Sequence, residues 1–94
     1  MEKRLKSVDG TCLQDQVYAP YYKLVKKFGE PNGIPDNKTD VEWHIQTPHG
    51  VATVYNWKNG KSYCGESGLE IHEIDEWHIG GHNKESARWI KKQL

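Results

Sequence analysis

Asp40-Val-Glu-Trp-His-Ile-Gln-Thr47, then Pro48-His49-Gly50, then Val51-Ala-Thr-Val-Tyr-Asn-Trp57, is the stretch on which the fold turns. Two runs rich in β-branched and aromatic residues, parted by a Pro and a Gly, read as a β-hairpin with a short turn. Its register stays open, because a two-residue and a three-residue connection set Trp43 and Ile45 against opposite faces of the second strand.

Before the hairpin, Thr11 to Val17 reads as a short strand with Leu13 and Val17 in alternation. Pro20 suits a first helical turn, and Tyr21, Leu24, Val25 and Phe28 recur at helical spacing up to Gly29 and Pro31. Glu30 to Lys38, with its prolines, Asn32-Gly33 and Asp36-Asn37, is a loop. After the hairpin, residues 59–69 form a polar, flexible loop. Strand character returns over Glu70 to Ile79, and Gly80-Gly81 is expected to end it. Asn83 then caps a helix from Lys84 to Leu94 whose Ala87, Ile90 and Leu94 line one side. The order β-α-β-β-β-α predicts an α+β two-layer sandwich: an antiparallel sheet of about four strands covered on one face by two helices. Residues 1–94 read as one domain with a charged leader at 1–9. Trp43, Ile45, Trp77 and Ile79 are expected to face the helices, together with Leu24, Val25 and Phe28.

The composition suits a small domain with a thin core. In 94 residues, 35% are apolar and 11% aromatic, four of them Trp, so the buriable surface sits in a few large side chains. Thirteen Lys plus Arg balance thirteen Asp plus Glu. Such neutrality argues against stable nucleic-acid binding, which needs excess cations to neutralise phosphates. The charge is uneven, however: residues 62–78 hold five acidic groups and no basic ones, between basic ends. No window approaches the roughly 20 apolar residues of a membrane span, and the first ten residues lack the apolar run of a secretory signal. Cys12 and Cys64 read as free thiols of a reducing compartment. A thin core in so short a chain also predicts self-association into a homo-oligomer.

Three features carry chemistry. The tetrapeptide Glu-Trp-His-Ile occurs at 42–45 and at 76–79, and strand alternation puts its Glu and His on one face. That face reads either as an amphipathic pattern shared by chance, as a polar binding surface, or as a His/carboxylate metal site. In His78-Ile79-Gly80-Gly81-His82-Asn83-Lys84 a strand runs through two glycines into a helix start, where free amides and Lys84 would suit an anion. Trp57-Lys58-Asn59-Gly60-Lys61-Ser62-Tyr63 interleaves aromatic and basic residues, as a nucleotide would require for stacking and phosphate contact. The candidate ligand-binding residues are therefore Trp57, Lys58, Lys61, Tyr63, His78, Gly80, Gly81, His82 and Lys84. No Ser-His-Asp or Cys-His arrangement stands out, so the sequence predicts neither an enzyme nor a cofactor.

Taken as a set, Gly10-Thr-Cys-Leu-Gln14, Phe28-Gly-Glu-Pro31, Glu42-Trp43, Val51-Ala-Thr-Val-Tyr-Asn-Trp-Lys58 and Glu76-Trp-His-Ile-Gly-Gly81 resemble a group of small tailed-bacteriophage proteins. The resemblance spans roughly residues 10 to 90. It implies a phage accessory protein working in the host cytoplasm by occupying something of the host's. The expectation is non-enzymatic counter-defence by sequestering a nucleotide-like immune signal. The alternatives are an inhibitor docking on a host defence protein or nuclease complex through the acidic 62–78 segment and, below it, a small metal-dependent hydrolase.

Overall fold

A computed structural model describes residues 11–94, and the charged leader 1–9 lies outside the described residues. In chain order the elements are β1 (Cys12–Tyr18), α1 (Tyr21–Phe28), β2 (Glu42–Thr47), β3 (Gly50–Tyr55), α2 (Lys61–Cys64), β4 (Glu76–Gly81) and α3 (Lys84–Gln93). The four strands form one antiparallel sheet in the order β1-β4-β3-β2. Both long helices cover a single face, which is the expected α+β architecture, and α2 adds one turn that the sequence pattern does not announce.

The hairpin turn is the two-residue version. Thr47 pairs with Gly50, whose φ of 112° is one that residues with a Cβ rarely adopt. Thr47 Oγ1 accepts from His49 N and donates to Gly50 O, which locks the turn. This register sets Trp43 opposite Val54 and Ile45 opposite Ala52, all toward the helices.

On that face Trp43, Val54, Trp77, Ile79 and Ala52 meet Leu24 of α1 and Ala87 and Ile90 of α3 in one buried cluster. Ile45, Val25 and Phe28 are at its margin, half-buried. Pro20 opens α1 in extended conformation, Lys26 and Lys27 sit at the negative end of its dipole, and Gly29 closes it by donating to Val25 O. Asn83 caps α3 through its side chain, which accepts from Ser86 N at 2.9 Å.

Three segments differ from the sequence expectation. Residues 70–75 are not strand: Glu70 N donates to Glu73 Oε1 at 2.9 Å, and this local bond closes a short 3₁₀ turn over Ile71–Glu73. The strand starts only at Glu76. Conversely, Gly80-Gly81 does not end it, because both glycines remain in β4, paired with Thr53 and Ala52 on one side and Leu13 and Cys12 on the other. They are glycines because neighbours approach closely: a Cβ would lie 2.5 Å from Thr53 Oγ1 at Gly80 and 2.6 Å from Ser86 Oγ at Gly81. In the 59–69 segment, read as a loop, α2 and a 3₁₀ turn over Gly65–Ser67 fold back so that Leu69 N donates to Asn59 O. Among the described residues no helix is long and apolar enough to cross a membrane.

Candidate functional site

The face of the sheet turned away from the helices carries two cross-strand rows. One runs Gln16, His78, Tyr55, Glu42, and the next runs Leu13, Gly80, Thr53, His44. The two Glu-Trp-His-Ile segments thus share a sheet, but β3 lies between them, so their Glu and His do not converge. Glu42 instead meets His44 of its own strand, Nε2 to Oε2 at 2.5 Å. Among the described residues no group of three or more His, Cys, Asp or Glu is placed to hold a metal ion.

At one end of the first row an aromatic cluster assembles. Trp57 stacks on His78 with ring centroids 6.2 Å apart and 24° between planes, and Tyr55 meets both rings edge-on. Burial pushes the His78 imidazole below its ordinary pKa of 6.5, with Glu76 pulling the other way, so neutral pH finds it uncharged. Burial, then the nearby Glu42 and Cys12, raise the Tyr55 phenol. Trp57 nevertheless keeps 39% of its surface in solvent.

Two ammonium groups lie over this exposed indole, Lys38 Nζ and Lys58 Nζ, each 5.5 Å from the ring centroid. Lys58 Nζ is also 5.2 Å from the Tyr63 ring. Lys58 takes a φ of 58°, the only positive φ outside glycine among the described residues. That conformation is uncommon for a side-chain-bearing residue and is imposed from both sides: its N–H donates to Lys38 O, and its carbonyl accepts from Cys64 Sγ. Asn56, wholly buried, ties the same loops together, accepting from Asp40 N and Val41 N and donating to Asp40 Oδ1 and Asn59 Oδ1.

Beside the cluster is a pocket of about 170 Å³. Tyr55 and Trp57 form its aromatic wall, Gly80 and Thr53 lie along the second row, and Cys12 and Thr11 of the β1 end close one side. Asp36, Thr39 and Glu42 supply the polar wall. The 31–40 loop reaches this position because it runs along the outer edge of β2, where Asn32 bonds both backbone groups of His44 and Gly33 N donates to Glu42 O.

Of the residues singled out from the sequence, the structure brings together Trp57, Lys58, Tyr63 and His78, with Gly80 in the adjoining pocket. Lys61 belongs to α2 and faces Glu70 at 3.6 Å. Gly81 is turned toward Ser86 on the helix face, His82 lies between β4 and α3, and Lys84 opens α3. The expected glycine turn at that helix start is absent, since neither Gly80 nor Gly81 has a positive φ. Sequence reasoning missed Lys38, Tyr55, Asp36, Thr39 and Thr53. Once the hairpin register is known, alternation from Glu42 points to Tyr55 and Thr53, whereas nothing local brings Lys38 over Trp57. Compared with protein-family models, curated proteins and solved structures, the chain gives no match.

Proposed function

We propose that this chain is a non-catalytic binding protein that takes a nucleotide-like small molecule on the open face of its sheet. In the phage setting that the sequence resemblance implies, it would sequester a host immune signal in the host cytoplasm, and self-association belongs to the same proposal. The observation that carries the reading is the half-exposed Trp57 indole, backed by neutral His78 and overlaid by Lys38 and Lys58. Base stacking on an aromatic side chain contributes about 1–3 kcal/mol. An exposed lysine over the same ring contributes about 0.5–1 kcal/mol, so a base displaces the ammonium, which then meets the phosphate.

A second reading, docking on a host protein, is favoured by Tyr63, Leu69 and Ile71, which are exposed within the acidic 62–78 stretch. Titration of tryptophan fluorescence with nucleoside monophosphates and cyclic dinucleotides separates the two. Trp43 and Trp77 are buried, so quenching reports on the exposed indoles. Saturable quenching that disappears in Trp57→Ala supports the ligand reading. No response to any nucleotide in the wild-type protein overturns it.

A further inference from the structure

The pocket and the cations beside it are of opposite sign, and this polarity selects among nucleotides. Within the pocket the polar wall includes two carboxylates, Asp36 and Glu42. Asp36 Oδ1 is taken up by the backbone N–H groups of Lys38 and Thr39, so it serves the loop. Glu42 is different. Among the described residues its Oε2 accepts a single hydrogen bond, from His44 Nε2. An ionised carboxylate offers about four acceptor positions, so both Glu42 oxygens retain capacity. The His44 ring that holds it is 1% exposed, and its other nitrogen, Nδ1, is buried without a partner among the described residues, so no bond seen there competes to turn the ring away from Glu42. The carboxylate is thus held by His44 before any ligand arrives, and its residue lines the cavity.

Size narrows the occupant. About 170 Å³ is well below the roughly 300 Å³ at which whole drug-sized ligands are enclosed, so one planar ring system enters and the rest stays outside. Outside, the Lys38 and Lys58 ammonium groups over Trp57 favour negative charge. A cationic ligand such as a polyamine would satisfy Glu42 but meet repulsion from the lysines. A base that offers acceptors to Glu42 would satisfy the lysines through its phosphate but oppose the carboxylate.

Resting on the nucleotide reading above, we infer that the pocket reads the donor edge of a guanine base through Glu42, with the phosphate carried by Lys38 and Lys58. Guanine alone among the common bases places two adjacent donors, N1–H and the N2 amine, on one edge, and they match the two oxygens of a carboxylate as a parallel pair. Adenine and cytosine set a ring acceptor beside their amine. Uracil flanks one N–H with two carbonyls. A matched bidentate contact of this kind discriminates between bases by about 5- to 150-fold.

The test is calorimetric titration of the full chain with GMP, IMP and AMP under one set of conditions. IMP keeps N1–H and lacks the N2 amine. The expected order is GMP tightest, IMP weaker and AMP weakest, with about 10-fold or more between GMP and AMP. Glu42→Gln should lower GMP affinity and raise AMP affinity, because the amide presents one donor and one acceptor, which match adenine's ring nitrogen and N6 amine and mismatch guanine's two donors. Equal affinities for GMP and AMP, or tighter AMP binding, would overturn guanine selection and leave the nucleotide reading standing. No binding of any of the three would overturn both. Because the GMP, IMP and AMP comparison is made on the wild-type chain, its outcome does not depend on the Glu42 variant folding.

Discussion

Trp43 and Trp77 meet edge-to-face, with ring centroids 5.4 Å apart and planes at 77°, and each donates its indole N–H to the main chain at one end of α1. Trp43 Nε1 reaches Gly29 O and Trp77 Nε1 reaches Ala19 O, both at 2.8 Å. Tyr21 on the helix touches both rings, at 5.8 and 6.3 Å. The recurring Glu-Trp-His-Ile tetrapeptide therefore has a structural use in its Trp positions: two strands that flank β3 place matching indoles beneath one helix and hold it by both ends.

Trp77→Ala should accordingly cost about 3–5 kcal/mol, since a wholly buried indole leaves a cavity as well as an unmet carbonyl. Trp77→Phe should cost less, about 1–3 kcal/mol for the buried acceptor left at Ala19. Urea unfolding of the three proteins checks both values. Equal losses for Ala and Phe would show that the hydrogen bond, not the ring, carries the stability.

Gly81 and Ser86 make a second pair whose geometry sets an expectation. The Ser86 hydroxyl, bonded to Asn83 O at 2.9 Å, occupies the space a Cβ on Gly81 would enter. Gly81→Ala should therefore destabilise the fold, and Ser86→Ala should recover part of the loss by vacating that space. Residues in direct contact show such coupling at about 0.5–3 kcal/mol. A double-mutant cycle by chemical denaturation reads it, and strictly additive effects would contradict the close approach.

At Lys58 backbone and side chain pull in different directions. The left-handed φ of 58° costs a residue with a Cβ roughly 1–2 kcal/mol, which glycine escapes in exchange for about 0.5–1 kcal/mol of chain entropy. Lys58→Gly should thus be more stable than Lys58→Ala by up to about 1.5 kcal/mol, the comparison cancelling the lost ammonium. Both should weaken nucleotide binding equally. Thermal unfolding and fluorescence titration of the two variants give the comparison, and an alanine variant as stable as the glycine one would remove strain from the account.

The secondary structure of the hairpin, α1 and α3 was legible because each rests on local rules: alternation, helical spacing, a Pro at a first turn, an Asn cap. The hairpin register was not, since Pro48-His49-Gly50 is compatible with two connections and only the helix-facing burial of Trp43 and Ile45 against Val54 and Ala52 chooses between them. Gly80-Gly81 reads as a stop for the opposite reason: glycine marks both turns and close approaches, and Thr53 and Ser86, which decide the matter, lie 27 and 5 positions away in the chain. Of the site, Trp57, Lys58 and Tyr63 were adjacent in sequence and easy to group. Lys38 and the pocket's polar wall reach it through the Asn56 network and the loop along β2, tertiary contacts that leave no local trace.

The half-buried imidazole of His78 should give the stability a pH dependence of defined sign. Its pKa in the fold lies below 6.5, lowered by burial and partly offset by Glu76, whereas in the unfolded chain it returns to about 6.5. Between those two values the unfolded state binds more protons than the folded one, so stability rises with pH in that window. The contribution is complete above about pH 6.5 and is lost as pH falls through the folded value. Asp15 does not blur this window. A backbone hydrogen bond from Gln16, with help from Lys91, holds its carboxyl below the ordinary 3.8, so its own contribution fades only in stronger acid. The urea midpoint should therefore fall between about pH 7 and pH 5 in the wild-type protein, and His78→Phe, which keeps an aromatic ring against Trp57, should flatten that part of the profile. An unchanged slope in the variant would mean that the proton is taken up elsewhere.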